Sequence, residues 1–351
     1  MSLRLLDVEN LRAHFRTGRP NDHLPDVQAV RGVSFSLARG ETVGVVGESG
    51  SGKSVTAMSL LNLLPETATT TVDAMTLDGR SIFELPSKDQ RALRGKQIAM
   101  VFQDPMTSLN PLMTIGKQID EMFLVHETGM SKAERKQRVI DMLTEVRIPE
   151  PAKRYNSYPH EFSGGMRQRV MIAMAMALRP EVLIADEPTT ALDVTIQDQI
   201  LRLMRRLQIE NGTSILLITH DLSVVAGLCS RVIVMYGGLI MEESPVADLF
   251  ARPLHPYTIG LLGALPALQT TADRLVSIPG SPPDMTAPGD GCPFAPRCPY
   301  ARVRCEQRLP GYYSAGPGHR SLCWLLDPEA PSDDSPFGAA DGPLRQGVKP
   351  L

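Results

Sequence analysis

The sequence predicts an α/β fold organised around a glycine-rich loop, with a helical insertion and a small cysteine-rich C-terminal appendage. Short apolar, β-branched runs such as 182–186 and 214–219 are typical of buried strands. Each run ends in polar residues and is followed by a helical pattern. The glycine-rich loop, residues 47–54, lies between one such strand and a helix predicted from Lys53 to Leu64.

The loop fits the phosphate-binding pattern G-x-x-x-x-G-K-[ST]. Small residues let the backbone wrap a polyphosphate with consecutive N–H groups pointing inward, and the following helix adds a partial positive charge. We expect Lys53 to reach the β- and γ-phosphates and the Ser54 hydroxyl to ligate Mg²⁺. The predicted phosphate-binding residues are Gly47, Glu48, Ser49, Gly50, Ser51, Gly52, Lys53 and Ser54.

Composition limits the class of function. The chain has 351 residues, a formal net charge of −3 and an isoelectric point near 6.2, which argues against a dedicated nucleic-acid binder. The N-terminus shows no signal-peptide pattern. The longest apolar run, 170–178, is far shorter than the ~20 residues that a membrane span needs. We therefore expect a soluble, cytoplasmic protein.

Before the helical insertion, the chain alternates strands and turns. Strands are predicted over 5–15 and 27–37, and Phe15 ends the first of them. An aromatic side chain there could stack on a purine, although spacing alone favours an ordinary core phenylalanine. A buried strand over 98–102 is followed by Gln103, and the end of a strand in an α/β fold is well placed to meet a ligand.

The insertion is predicted to be helical. Ser131 and Glu134 form a capping-box pattern that opens one of its helices. Farther on, Ser163, Gly164 and Gly165 open another helix and make a second potential anion site, although serine caps many helices and the signal alone is weak.

Two acidic residues, Asp186 and Glu187, end the buried strand that begins at Glu181. Buried carboxylates are costly without a partner or a metal, and such acids suit a nucleotide site. We expect Asp186 to help hold Mg²⁺ and Glu187 to polarise a water molecule. Asp193 is predicted to cap the next helix, and His220, which follows the strand 214–219, is predicted to contact the γ-phosphate.

Four cysteines lie close together near the C-terminus, with the spacing C-x5-C-x6-C-x17-C. In a cytosolic chain this clustering favours a metal over disulfides, and four thiolates can hold Zn²⁺ or an iron–sulfur cluster. The segment is proline-rich with little apolar periodicity, so we expect it to lack a core of its own. Residues 328–351 are predicted to be disordered. The four candidate ligands are Cys292, Cys298, Cys305 and Cys323.

Taken together, these motifs resemble the nucleotide-binding subunits of ATP-binding-cassette (ABC) transporters over residues 1 to about 250. The matching set is 47–54, Gln103, F-S-G-G-M at 162–166, the acidic strand, A-L-D at 191–193 and His220. The common signature L-S-G-G-Q differs here at its first and last positions. Three further features are similar to the oligopeptide/dipeptide importer subgroup: the sequence of residues 103–111, the tripeptide His255-Pro256-Tyr257 and the C-terminal cysteines.

The resemblance implies a P-loop NTPase (RecA-like) core with an antiparallel β subdomain, a helical subdomain over about 104–178 and an importer-type C-terminal region over 251–327. It implies that Phe15 stacks on adenine, and that Gln103 senses Mg²⁺ and the attacking water. It also implies that Glu187 is the catalytic base and His220 the γ-phosphate switch. The signature residues Ser163, Gly164 and Gly165 would bind ATP held by an opposite subunit, and Asp193 would also belong to the nucleotide site.

The resemblance further implies a function. The chain would be a peripheral ATPase at the cytoplasmic face of the cell membrane that energises import of di- and oligopeptides. Its partners would be a second ATPase subunit, identical or related, the transmembrane permease subunits and, indirectly, a substrate-binding protein. ATP and Mg²⁺ are the implied cofactors, with a [4Fe-4S] cluster or Zn²⁺ at the four cysteines. The alternatives are an importer of nickel or another small solute, a non-transport ABC ATPase, and a metal-thiolate sensor.

Overall fold

The computed structural model describes residues 4–18, 24–190, 192–265, 277–328 and 349–350. The chain divides into two compact units. Unit 1 comprises Met1–Leu6, Ser36–Thr42 and Thr76–Ile218, and unit 2 comprises Asp7–Phe35, Val43–Met75 and Thr219–Leu351. The tail predicted over 328–351 lies outside the described residues except for 328, 349 and 350.

The strands and helices are numbered in chain order. The strands are β1 (Arg4–Phe15), β2 (Val27–Ala38), β3 (Thr42–Val46), β4 (Ala68–Thr71), β5 (Ala74–Leu77), β6 (Arg80–Ser81), β7 (Ile98–Val101), β8 (Val182–Asp186), β9 (Ser214–Ile218), β10 (Arg231–Tyr236), β11 (Leu239–Pro245), β12 (Tyr313–Gly316), β13 (His319–Ser321) and β14 (Lys349–Pro350). The α-helices are α1 (Lys53–Leu60), α2 (Ser87–Leu93), α3 (Pro105–Ser108), α4 (Ile115–His126), α5 (Lys132–Glu145), α6 (Pro151–Arg154), α7 (Gly164–Met176), α8 (Val194–Asn211), α9 (Leu222–Leu228), α10 (Val246–Ala251), α11 (Pro256–Gly263) and α12 (Val303–Gln307). Short 3₁₀ helices cover Pro159–Glu161, Ala295–Arg297 and Trp324–Leu326.

Unit 1 contains the parallel strands β7, β8 and β9. Leu183 of β8 pairs with Ala99 on one side and with Ile215 on the other. All residues of β8 and β9 are buried, which explains why their sequences are continuously apolar instead of alternating. Because the strands are parallel, their carboxyl ends lie at one edge, where α/β proteins bind ligands.

The helical insertion runs from α3 to α7, between β7 and β8, as predicted. The capping box that begins α5 is present: the Glu134 N–H donates to Ser131 Oγ (3.3 Å), and the Ser131 N–H donates to Glu134 Oε2 (2.7 Å). The helix buries Val139 and Leu143 on one side. Local capping chemistry and apolar periodicity therefore agree with the tertiary packing of this helix.

Unit 2 contains β3, which is parallel to β10, and β10 forms an antiparallel hairpin with β11. Strand β13 pairs with β11 and with β12, and β12 pairs with β14. In the same unit β1 is antiparallel to β4, with Phe15 opposite Ala68. The turn of the β10–β11 hairpin uses Gly237 and Gly238 at positive φ.

Two local predictions are wrong. Helix α1 ends at Leu60 instead of Leu64, and the chain turns away through Asn62, whose φ is 49°. Helix α2 was not predicted, because none of its residues is buried and it therefore shows no apolar periodicity.

The cysteine segment, which we expected to lack a core of its own, buries its apolar side chains against neighbouring elements. Phe294 is only 2% exposed, and its ring lies 5.4 Å from that of Tyr236 and 5.3 Å from that of Tyr257. Leu325 and Leu326 join a second buried cluster. The segment thus packs single, irregularly spaced apolar side chains onto neighbouring elements, which no periodicity reveals. In the described parts of the chain, no helix is long and apolar enough to cross a membrane.

Candidate functional site

The glycine-rich loop joins β3 to α1, as the sequence predicts. Gly47 has φ 153°, and a Cβ built on it would lie 2.1 Å from the carbonyl oxygen of Met235. Gly52 has φ 98°, and its Cβ would lie 2.4 Å from the carbonyl oxygen of Ala29. Neither position accommodates a side chain unless the backbone moves. The glycines are therefore required by a close backbone approach that holds the loop in its wrapped form.

The Lys53 ammonium spans this loop. Its side chain is buried, and Nζ donates to the carbonyl oxygens of Gly47 and Glu48, both at 2.8 Å, and to Ser51 Oγ at 3.3 Å. The charge is thus held inside the loop, at the N-terminus of α1, where the helix dipole also favours an anion. This arrangement suits a polyphosphate.

Two side chains from the C-terminal region contact the loop, and no nucleotide motif marks them. The Glu48 N–H donates to the Tyr257 hydroxyl at 2.8 Å. Arg297 donates from Nη1 to Glu48 Oε2 at 2.6 Å and from Nη2 to Oε1 at 3.0 Å. The sequence His255-Pro256-Tyr257 was the one signal that could have pointed to Tyr257. His255 Nδ1 accepts from the Tyr257 N–H at 3.0 Å and caps α11, which begins with Pro256.

At the carboxyl ends of β7 and β8, the structure brings together two predicted residues. Gln103 Nε2 donates to Glu187 Oε2 at 3.1 Å, and Thr190 Oγ1, which the sequence did not indicate, donates to the same oxygen at 2.8 Å. Asp186, the last residue of β8, is buried. Glu187 has φ 45°, a conformation that costs a non-glycine residue about 1–3 kcal/mol and that is concentrated at functional sites.

The signature segment opens α7 as predicted. Ser163 is exposed at the N-cap, and its Oγ accepts from the Met166 N–H at 3.4 Å. A Cβ built on Gly165 would lie 2.7 Å from the Ile196 side chain, so glycine permits close packing of α7 on α8. Phe162, which replaces the usual leucine, is buried and therefore has a core role.

Three further predicted residues take the local positions expected of them. Asp193 Oδ1 accepts from the Ile196 N–H at 3.0 Å and caps α8. His220 follows β9 and is exposed. Phe15 is half-buried at the end of β1. Their contacts with a nucleotide stay predictions.

All four C-terminal cysteines line one small cavity of about 20 Å³. The Cys292 N–H donates to the Cys305 carbonyl oxygen at 2.7 Å. Burial raises the pKa of Cys292 to about 12 and that of Cys298 to about 11, and neighbouring thiols add to both shifts. Burial also raises the pKa of Cys323. Each shift favours the protonated form of the thiol.

As a donor set, four cysteines around one cavity fit a soft metal or an iron–sulfur cluster. Their side chains are not placed as metal ligands, however: among the described residues, no group of three or more His, Cys, Asp or Glu side chains is placed to hold a metal ion. Cys229 lies apart, at the end of α9, packed against the core of unit 2.

Comparison with known families and proteins agrees with this geometry. Residues 30–190 match the ABC transporter family, and residues 241–305 match the oligopeptide/dipeptide transporter C-terminal region. The chain is 48% identical to the dipeptide transport ATP-binding protein DppD of Lactococcus lactis subsp. cremoris, over 93% of each chain. It is 51% identical to the oligopeptide transport ATP-binding protein OppD of Salmonella typhimurium, over 91% of this chain and 93% of the relative.

Solved structures show the same architecture. The chain superimposes on MJ0796, a bacterial ABC transporter cassette solved as a dimer, with a TM-score of 0.61 and 28% identity, over 69% of this chain and 99% of that one. A post-hydrolysis form of the same cassette bound to ADP and phosphate matches with a TM-score of 0.58 and 27% identity, over 69% of this chain and 99% of that one. The chain therefore belongs to the ATP-binding-cassette ATPases and, within them, to the group that shares the oligopeptide/dipeptide transporter C-terminal region.

Proposed function

We propose that this chain is the ATP-hydrolysing subunit that energises import of di- and oligopeptides. The cargo class rests on relatives named for dipeptide and oligopeptide transport, each of which aligns over more than nine-tenths of its length. The hydrolytic step rests on one observation above all: the Glu187 carboxylate is fixed by Gln103 and Thr190 at the carboxyl end of β8.

Binding of ATP is assigned to the loop of residues 47–54. Lys53 now donates to two loop carbonyls, and on binding it would exchange these contacts for β- and γ-phosphate oxygens. The Ser54 hydroxyl, the Asp186 carboxylate and the Gln103 amide would hold Mg²⁺, which neutralises charge on the phosphates. Phe15 would stack on the adenine ring.

Hydrolysis is assigned to Glu187. Its carboxylate accepts a proton from the attacking water as the water oxygen bonds to the γ-phosphorus. The bond from that phosphorus to the bridging oxygen then breaks, which yields ADP and phosphate. Gln103 and Thr190 orient the carboxylate by donating to one of its oxygens, and His220 would contact the γ-phosphate. The catalytic rate would depend mainly on this positioning.

A second ATPase subunit would complete the site. The chain carries one phosphate loop and one signature, and the related cassette was solved as a dimer. Ser163, Gly164, Gly165 and Asp193 would therefore act on ATP held by the opposite subunit. The ATPase domain would span 1–250, its helical part over about 104–178 would signal to transmembrane permease subunits, and 251–327 would form the importer-type C-terminal region.

The proposed place of action is the cytoplasmic face of the cell membrane, where the chain would be bound peripherally to the permease. A separate substrate-binding protein would deliver the peptide, and no nucleic acid takes part.

The four cysteines would hold a metal centre, with a [4Fe-4S] cluster proposed first and Zn²⁺ second. The donor set and the shared cavity support this proposal. Thiolates would have to replace the protonated thiols, so binding would release protons and add local folding free energy. Iron and sulfide in anaerobically purified protein would support the cluster, zinc without iron would support the second alternative, and metal-free protein would refute both.

The function is tested by isolating the chain with its native partners. Lys53→Ala should abolish ATP binding by the purified chain, because the loop loses its buried charge. Lys153→Ala, which removes an exposed lysine paired with Glu150 at 3.3 Å, is the matched control. The wild-type chain should co-purify with polytopic membrane proteins, and the complex should import di- or oligopeptides on addition of ATP. ATP-dependent transport of nickel alone would replace the peptide assignment.

A further inference from the structure

We propose that Arg297 is a positioning residue for the phosphate loop, and that through it the cysteine-rich segment sets the affinity of this chain for ATP. The inference rests on the proposed assignment of residues 47–54 as the phosphate site. Arg297 lies directly before Cys298, at the end of the 3₁₀ helix Ala295–Arg297.

The Arg297 guanidinium is held by a full set of acceptors. Its side chain is 5% exposed and forms the two-bond contact with the Glu48 carboxylate. Nη1 also donates to the Tyr236 hydroxyl at 3.0 Å. Nη2 donates to the Ile278 carbonyl oxygen at 3.1 Å, and Nε donates to that of Pro279 at 2.8 Å. A planar, bidentate pair of this kind fixes both partners in direction as well as in distance.

Glu48 is held at its backbone as well as at its carboxylate. The Tyr257 hydroxyl accepts the Glu48 N–H, and the Glu48 carbonyl oxygen accepts from Lys53 Nζ. A continuous chain of contacts therefore runs from Arg297 through Glu48 to Lys53, the charge expected to meet the phosphates. The C-terminal region thereby contacts the residue that sets the shape of the first turn of the loop.

The cysteine segment controls where the guanidinium lies. Cys292 and Cys298 flank the turn that carries Arg297, and the Cys292 N–H is bonded to the Cys305 carbonyl oxygen. Phe294, within the same turn, is buried against Tyr236. A rearrangement of the cysteines would move Arg297 and leave the Glu48 carboxylate without its partner. Breaking one side of a largely buried pair costs more than an exposed pair contributes.

The expected signature of positioning is a change in ATP affinity with turnover preserved. In the full-length chain with Mg²⁺ and ATP, Arg297→Gln should raise the Kd and the KM for ATP by about tenfold and leave kcat nearly unchanged. Arg297→Lys keeps the charge but not the two-pronged guanidinium. Its Kd for ATP should therefore lie between those of the wild type and of Arg297→Gln. The Arg297→Gln/Glu48→Gln double variant should be no weaker than either single variant, because the two residues act as one pair.

Two matched controls lie in the same region but do not touch the loop. Arg304→Gln removes another arginine–carboxylate pair, to Asp327 at 3.0 Å. Tyr312→Phe removes a hydroxyl that donates to the Ile240 carbonyl oxygen at 2.9 Å. It is the matched control for Tyr257→Phe, which removes the hydroxyl that contacts Glu48. Both controls should keep the Kd for ATP within about twofold of wild type.

The outcomes separate the inference from the proposed function. Wild-type affinity in Arg297→Gln and Glu48→Gln, with binding lost in Lys53→Ala, would overturn the inference and leave the ATP site in place. Wild-type affinity in Lys53→Ala would overturn the ATP site itself. An equal loss in Arg304→Gln would show general destabilisation and also overturn the inference. If Arg297→Gln does not fold, Tyr257→Phe decides: an unchanged Kd refutes positioning of the loop by the C-terminal region.

Discussion

Replacing Glu187 with glutamine tests the assignment of water activation, and the structure indicates how clean the test is. Glu187 Oε2 accepts from Gln103 at 3.1 Å and from Thr190 at 2.8 Å. A glutamine oxygen can accept the same two hydrogen bonds, and the substitution leaves the positive φ unchanged. Only the proton-accepting charge is removed. We therefore expect ATP binding and folding to persist.

The expected loss is the contribution of a general base, about 10²–10⁴-fold in turnover. This factor corresponds to roughly 2.7–5.5 kcal/mol of activation free energy. Phosphate release gives the rate, and calorimetric titration with Mg²⁺ and ATP gives the Kd. The matched control is Glu181→Gln, at the opposite end of β8, where the carboxylate pairs with Arg39 at 2.9 Å. Turnover of Glu187→Gln within about twofold of wild type would refute the assignment.

Three other substitutions probe separate parts of the chain. Gly52→Ala should destabilise the protein by roughly 1–3 kcal/mol in a urea titration, because the new Cβ meets a β2 carbonyl oxygen at positive φ. Gly50→Ala, which has φ 78° but open space around its Cβ, should destabilise the protein less, and equal losses of stability would contradict the close approach. Ser163→Arg should preserve ATP binding by the isolated chain but abolish ATP-induced dimers in light scattering, whereas lost binding would exclude a role in the opposite subunit's site. Burial lowers the pKa of His255 to about 3. The contribution of the neutral imidazole to the free energy of unfolding is therefore complete above the unfolded pKa of about 6.5 and is lost as the pH falls toward 3. The loss is up to about 1.4 kcal/mol per pH unit. Urea unfolding of His255→Asn, which keeps a capping oxygen, should show a correspondingly smaller decline below pH 6.5, and an unchanged decline would refute this source.

The positions of the strands and of most motifs could be predicted, because the signals are local. Strand β8 is apolar because it is buried on both faces, and it ends in Asp186 at the edge where α/β proteins bind ligands. The approach of Gln103 to Glu187 follows from the parallel pairing of neighbouring strands. Helix α2 could not be predicted, since an exposed helix has no apolar periodicity.

The sequence by itself determined the phosphate loop, the acidic strand end and the helix caps, because each depends on residues within a few positions of one another. Only the tertiary structure decided which distant side chains contact these motifs and fix their geometry. The Arg297–Glu48 pair joins residues 249 positions apart, and neither residue type is unusual in its own segment. The positive φ of Glu187 is likewise a conformation that persists only where the surrounding structure holds it. Local chemistry leaves such long-range contacts undetermined, because a pair that distant in sequence has no spacing rule: its geometry exists only once the intervening chain has folded.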